Sequence, residues 1–79
     1  MSLFSEKLSE MIHAANIKVA SLSSLSGVER SFIQKMMSGE RIPNDPEVLE
    51  KLADTLMLAP AQRRILLQAY RISKMGEAV

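Results

Sequence analysis

The sequence predicts an all-α fold: five short helices packed as a compact bundle around an aliphatic core. Three observations predict it. Apolar residues recur at three- and four-residue spacing in successive segments, the period of a helix with one buried face. Glycines occur only at positions 27, 39 and 76, each just after such a segment, where a helix stop is needed. Finally, 79 residues with 47% hydrophobic but only 4% aromatic side chains and no Cys must build their core from Leu, Ile, Met and Ala. A chain of this length holds one core, and without disulfides helix packing alone must stabilise it.

The first helix is expected over about residues 3–15, with Phe4, Leu8, Met11, Ile12 and Ala15 as its apolar stripe. Asn16 follows where the chain needs a left-handed residue, a conformation Asn tolerates. The second helix, about 18–25, is Ser-rich and intrinsically poor, so packing through Val19, Leu22 and Leu25 has to hold it. A tight turn at Ser26-Gly27-Val28 leads into the third helix, about 29–37, which Ser38-Gly39 ends and a loop closed by Pro43 follows. Asp45 caps the fourth helix, with Pro46 and Glu47 in its first turn. Val48, Leu49, Leu52, Ala53 and Leu56 are its buried face. The fifth begins at Pro60 and is expected to stop at Gly76, with Lys74 in its last turn. No internal repeat or linker interrupts this order, so residues 1–79 are expected to form a single domain. Met1-Ser2-Leu3 is compatible with a vector remnant, and the chain with the front end of a longer protein.

The stretch Ile17–Pro43 carries the functional signal. Leu22 and Ile33 are apolar knobs at a spacing that lets one helix cross another, and Ser23 is small enough for close approach. Gly27 can adopt positive φ for the turn at little steric cost. Such spacing marks a helix-turn-helix and makes double-stranded DNA the first partner to test. The pattern resembles the lambda-repressor-like, XRE-family DNA-binding domains: a Leu-small pair (Leu22-Ser23), a Gly-Val turn (Gly27-Val28), an Ile six residues on (Ile33), then Gly39-Glu40-Arg41-Ile42-Pro43. The flanking segments read as that family's helices one, four and five.

The resemblance implies that the third helix enters the major groove while the second crosses the phosphate backbone. With Val28, Ile33 and Met36 inward, Glu29, Arg30, Ser31, Phe32, Gln34 and Lys35 face outward. Arg30, Ser31 and Lys35 match positions where the family most often reads bases. Arg30 suits guanine, Gln34 adenine and Phe32 a thymine methyl, while Glu29 either accepts from cytosine N4 or merely favours the helix N-terminus. Lys18 and the backbone N–H groups of Val19 and Ala20 form a candidate phosphate site. The family's usual polar cap and Gln are replaced there by Lys18 and Val19. In the loop, Gly39 permits close backbone approach and Arg41 can reach a phosphate, with Glu40 opposing. Many family members also bury an Arg–Glu pair between helices one and three. The matching positions here are Ile12 and Met37, both apolar, a joint change that avoids an unpaired buried charge.

Formal net charge is only +1, but it is unevenly spread. Lys18, Arg30, Lys35 and Arg41 face only Glu29 and Glu40 in residues 16–43, while Asp45, Glu47, Glu50 and Asp54 face only Lys51 in residues 44–59. Other chemistry finds little footing. The one His, His13, has no ligand cluster around it, so no metal site, cofactor or enzymatic centre is expected. No apolar run suits a membrane span and no signal-peptide pattern is present, which with the lack of Cys fits a cytoplasmic protein. In the fifth helix Ile65, Ala69 and Ile72 form one stripe, widened by Leu66 and Tyr70, with Leu67 elsewhere. That width is explained either by packing on helix one or by a homodimer contact. The function expected is sequence-specific DNA binding by a prokaryotic-type transcriptional regulator. The alternative is a helical protein-interaction module, antitoxin-like, that uses this fold without reading DNA.

Overall fold

The computed structural model describes residues 2–77. Over that span the chain forms α1 (Leu3–Ala14), α2 (Val19–Ser26), α3 (Arg30–Ser38), α4 (Glu47–Leu56) and α5 (Pro60–Glu77), with no strand among the described residues. Residues 1, 78 and 79, which the sequence assigns to the same domain, lie outside the described residues. No described helix is long and apolar enough to cross a membrane.

α1 starts with a reciprocal serine cap. Ser2 Oγ accepts from the Ser5 N–H and Ser5 Oγ from the Ser2 N–H, both at 3.1 Å. A third early N–H, that of Phe4, donates to Ser73 Oγ of α5 at 3.0 Å. These bonds occupy donors that every helix start leaves over. Phe4, Leu8, Met11 and Ile12 are buried as the spacing predicts. Ala15 is not: the helix closes at Ala14, so Ala15 falls outside the stripe and is exposed. Asn16 then takes φ +54°, the left-handed stop expected of it.

α1 packs on α5 and α3, while α2 packs on α3 and α4. Phe4 meets the ring of Tyr70 edge-on, with centroids 5.9 Å apart at 69°. α2 contributes one fully buried side chain, Leu22, with Val19 half-buried. Leu25, expected inside, is 71% exposed. Three residues on from Leu22, it lies about 60° round the cylinder, opposite to Val19 and past the edge of the contact. Asp45, expected to cap α4, does not hold the cap position: Pro46 does, without a side-chain cap. Asp45 lies one residue earlier, its Oδ1 accepting from the Glu47 N–H at 2.9 Å. α4 buries Leu49, Leu52, Ala53 and Leu56, with Val48 half-buried.

α5 corrects two expectations. Its inward residues are Leu66, Ala69 and Tyr70, whereas Ile65 and Ile72 are 45% and 51% exposed. Contact with α1 selects the Leu66–Tyr70 side, so those two are core, not free surface. Gly76, expected as the stop, lies within the helix, which is described to Glu77.

Candidate nucleic-acid interface

The turn between α2 and α3 is built from small groups. Gly27 has φ +76°, and a Cβ there would touch nothing within 4 Å, so backbone conformation rather than space demands glycine. Its N–H donates to the Ser23 carbonyl at 2.9 Å. Ser23 also pins the far side: its hydroxyl donates to the Val28 carbonyl at 2.6 Å, while the Val28 N–H donates to Ser26 Oγ at 3.2 Å. Val28, Ile33 and Met36 anchor α3 in the core. The crossing angle is therefore fixed by one glycine, two serine hydroxyls and three apolar side chains.

The anchoring leaves Glu29, Arg30, Ser31, Gln34 and Lys35 exposed, as the sequence predicts. Ser31, Gln34, Lys35, Ser38 and Glu40 line one shallow depression on that face. Phe32 departs from the expectation. It is half-buried and packed against the core, because its position borders Ile33 and Met36 on the cylinder. Glu29 precedes the helix in extended conformation but makes no side-chain cap. Its carboxylate instead accepts the Ser31 hydroxyl at 3.0 Å. α2 likewise begins without a side-chain cap, at exposed Lys18. Val19 is half-buried, its side chain packed against the core.

α3 ends at Gly39, φ +89°, with the amides of Glu40 and Arg41 both returned to the Lys35 carbonyl at 3.0 and 3.3 Å. Arg41 is exposed and Gly39 half-buried. Among the described residues the ion pairs are Lys7–Glu10 and Arg63–Asp54, so Lys18, Arg30, Lys35 and Arg41 each keep their charge uncommitted. Asp54, by contrast, is taken up by Arg63, which removes one acid from the segment the sequence reads as acidic.

With this geometry in place, comparison with family models is decisive. The model of the Cro/C1-type HTH DNA-binding domain matches residues 7–62. The chain belongs to that family. No curated protein and no solved structure matches it. The Cro/C1-type match runs from within α1 to the first residues of α5, so it includes α2, the turn, α3 and α4 entire. It leaves out most of α5.

Two features of this Cro/C1-type domain escape sequence reading. The hydroxyl of Ser23 ties the turn, where residue size alone suggested only close approach. Tyr70 and Lys74 of α5 bond the loop that follows α3. The first has a local signal, a serine four residues before the glycine. The second has none, because it joins residues 27 and 30 positions apart.

The family relation also gives meaning to the contact between α1 and α3. Ile12 is buried and Met37 half-buried against the core, and Ser9 Oγ donates to the Met37 carbonyl at 3.3 Å. Ser9 and Ile12 lie one turn apart on α1, so the end of α3 rests on the face that carries Ile12.

Proposed function

We propose that this chain binds double-stranded DNA in a sequence-specific manner and serves as a transcriptional regulator of the prokaryotic XRE type. One observation carries the reading beyond family membership: α2 and α3, the two helices of the motif, both start without a side-chain cap. α1 instead starts on a reciprocal Ser2–Ser5 cap, and at α5 Gln62 Oε1 accepts from the Ala59 N–H at 3.3 Å. α4 also starts without a side-chain cap, at Pro46, with Asp45 Oδ1 accepting the Glu47 N–H just ahead of it. Uncapped N–H groups with positive helix ends attract phosphate; Lys18 stands at the start of α2, and α3 opens on Arg30 beside the Glu29 carboxylate, which opposes phosphate there.

In this reading α3 lies in the major groove. Arg30 donates twice to guanine, Gln34 pairs with adenine, and Ser31 and Lys35 meet neighbouring base edges. Glu29, whose carboxylate accepts the Ser31 hydroxyl, either accepts from cytosine N4 as well or merely favours the start of α3. Phe32, though half-buried, offers its outer edge to a thymine methyl. Lys18, with the amides of Val19 and Ala20, holds one phosphate; Gly39 allows close approach of a second, which Arg41 reaches and Glu40 weakens. The protein works where the DNA is, in the cytoplasm.

A homodimer through α5 completes the reading, through the exposed side that holds Ile65 and Ile72 and not through the buried Leu66 and Tyr70. Ala61, Ile65, Gln68, Ile72 and Met75 are all exposed and alternate by four and three residues, the seam along which two helices pack. A two-fold pair would set two reading helices about 34 Å apart, one turn of DNA. Ile72→Glu should then abolish concentration-dependent mass in sedimentation while leaving the domain helical. A parent that stays monomeric at high concentration would contradict this interface.

Selection from a random duplex pool at moderate salt tests the function itself. Enrichment of a motif with two-fold symmetry is expected. Failure to enrich any motif, together with capture of a protein partner, would instead favour a protein-interaction module.

A further inference from the structure

The stretch 40–46 carries Arg41 and joins α3 to α4 without a helix of its own. Its first residues hang on α3 through the two amides bonded to the Lys35 carbonyl. Its later residues hang on α5. The hydroxyl of buried Tyr70 donates to the Pro43 carbonyl at 3.0 Å. The Lys74 ammonium donates to the Asn44 carbonyl at 2.6 Å and to the Tyr70 oxygen at 3.2 Å, and lies 5.5 Å from the centre of the Tyr70 ring. Pro43 has no N–H, so its carbonyl is the polar handle the backbone offers there. The donors run in series, ammonium to phenol to carbonyl, and a charged first donor polarises the next. Two neighbouring carbonyls are thus gripped by one helix while the preceding amides are gripped by another.

We propose that Tyr70 and Lys74 are positioning residues for DNA binding: they fix the Arg41 loop against phosphate, Lys74 acting through the loop backbone and not on DNA. The inference rests on the DNA reading above and extends it to α5, beyond the family match. An exposed arginine on a tethered loop meets phosphate with less ordering still to do, so the tether should appear in affinity without appearing in base preference.

The test uses the full chain with Lys74→Met, Lys74→Arg, Tyr70→Phe and Arg41→Ala, each checked for unchanged helicity. Lys74→Met and Tyr70→Phe should weaken binding about three- to tenfold, the scale of one lost net hydrogen bond, equally for all duplex sequences. Lys74→Arg should restore most of it. In the Arg41→Ala background Lys74→Met should have no further effect, because its route to DNA is already gone. Additive losses, with the salt slope falling by a further unit or so, would mean that Lys74 itself meets phosphate, and would overturn the proposal. Unchanged affinity in both Lys74→Met and Tyr70→Phe would overturn it as well. Amide exchange in the free protein separates the two readings. Faster exchange at Glu40 and Arg41 in Lys74→Met is expected; unchanged exchange there would sink the tether whatever the DNA result. A parent that binds no duplex, with exchange still accelerated, would refute the DNA reading and leave the tether a purely structural one.

Discussion

The α2–α3 unit and α5 have opposite designs. In α2–α3 each position has a specific job: Leu22, Val28, Ile33 and Met36 inside, Gly27 in left-handed conformation, Ser23 bonded across the turn, both helix starts without a side-chain cap, and Lys18, Arg30 and Lys35 outside the ion pairs. α5 is longer, has a polar side chain at its start, carries a buried aromatic, and reaches with three polar groups into α1 and the loop: Ser73 to Phe4, Tyr70 to Pro43, Lys74 to Asn44. The first region leaves the cations Lys18, Arg30 and Lys35 unpaired; the second ties Ser73, Tyr70 and Lys74 to its neighbours, though Arg64 and Arg71 on its outer face stay exposed. Unpaired cations at the helix starts of α2–α3 mark the side where an anionic partner would bind.

The largest effect is expected beneath the reading unit, where α1 meets α3. Ile12→Arg buries a charge without a partner and should cost more than about 3 kcal/mol in chemical denaturation. Adding Met37→Glu should recover much of that loss. A double mutant as unstable as the two singles summed would show that the side chains do not meet. Within α2 the two leucines should separate sharply. Leu22→Ala should cost about 2–5 kcal/mol and Leu25→Ser less than about 0.5. Equal costs would mean that α2 is rotated from the orientation described.

That pair of leucines also shows what was legible in the sequence. Where a residue type enforces a geometry, the reading was direct: Gly27 and Gly39 at positive φ and Asn16 ending α1, whereas the cap of α4 falls on Pro46 and not on Asp45. The spacing Leu22–Gly27–Ile33 likewise gave the crossing, because knob, turn and knob must fall at those intervals for the helices to touch. Where several apolar residues compete for one face, local pattern does not choose. Leu25 sits beside Leu22 with equal hydrophobicity, and Ile65 and Ile72 beside Leu66 and Tyr70; only the neighbouring helices decide which go inside. Gly76 misled for a related reason, since a glycine permits a stop but does not impose one. For the candidate interface, the exposed set on α3 was legible from helical period, Phe32 excepted, whereas the tether from α5 depends on long-range contacts that no local signal announces.

A smaller effect is expected on the DNA side of the comparison. Arg30→Ala should lose about 1–3 kcal/mol at one base position and relax discrimination there. Lys18→Ala should weaken all sequences alike and reduce the salt slope by about one. If both variants bind as the parent does, the open helix starts have no part in recognition. The smallest effect compares two glycines by thermal melting. Gly27→Ala should destabilise by about 1 kcal/mol through its positive φ alone, as no clash awaits a Cβ. Gly76→Ala, in a continuing helix, should be neutral or stabilise by up to about 1 kcal/mol. The same sign at both sites would contradict the described end of α5.

The central claim is that the uncapped starts of α2 and α3 form the DNA-facing side. Backbone amide shifts measured by NMR, as a selected duplex is added to the intact protein, test it most directly. The account predicts the largest shifts at Val19, Ala20, Arg30, Ser31 and Lys35, with a second group at Gly39–Arg41 and little change along the α4 surface. Shifts concentrated on α4 and the exposed face of α5, with those amides unmoved, would contradict it.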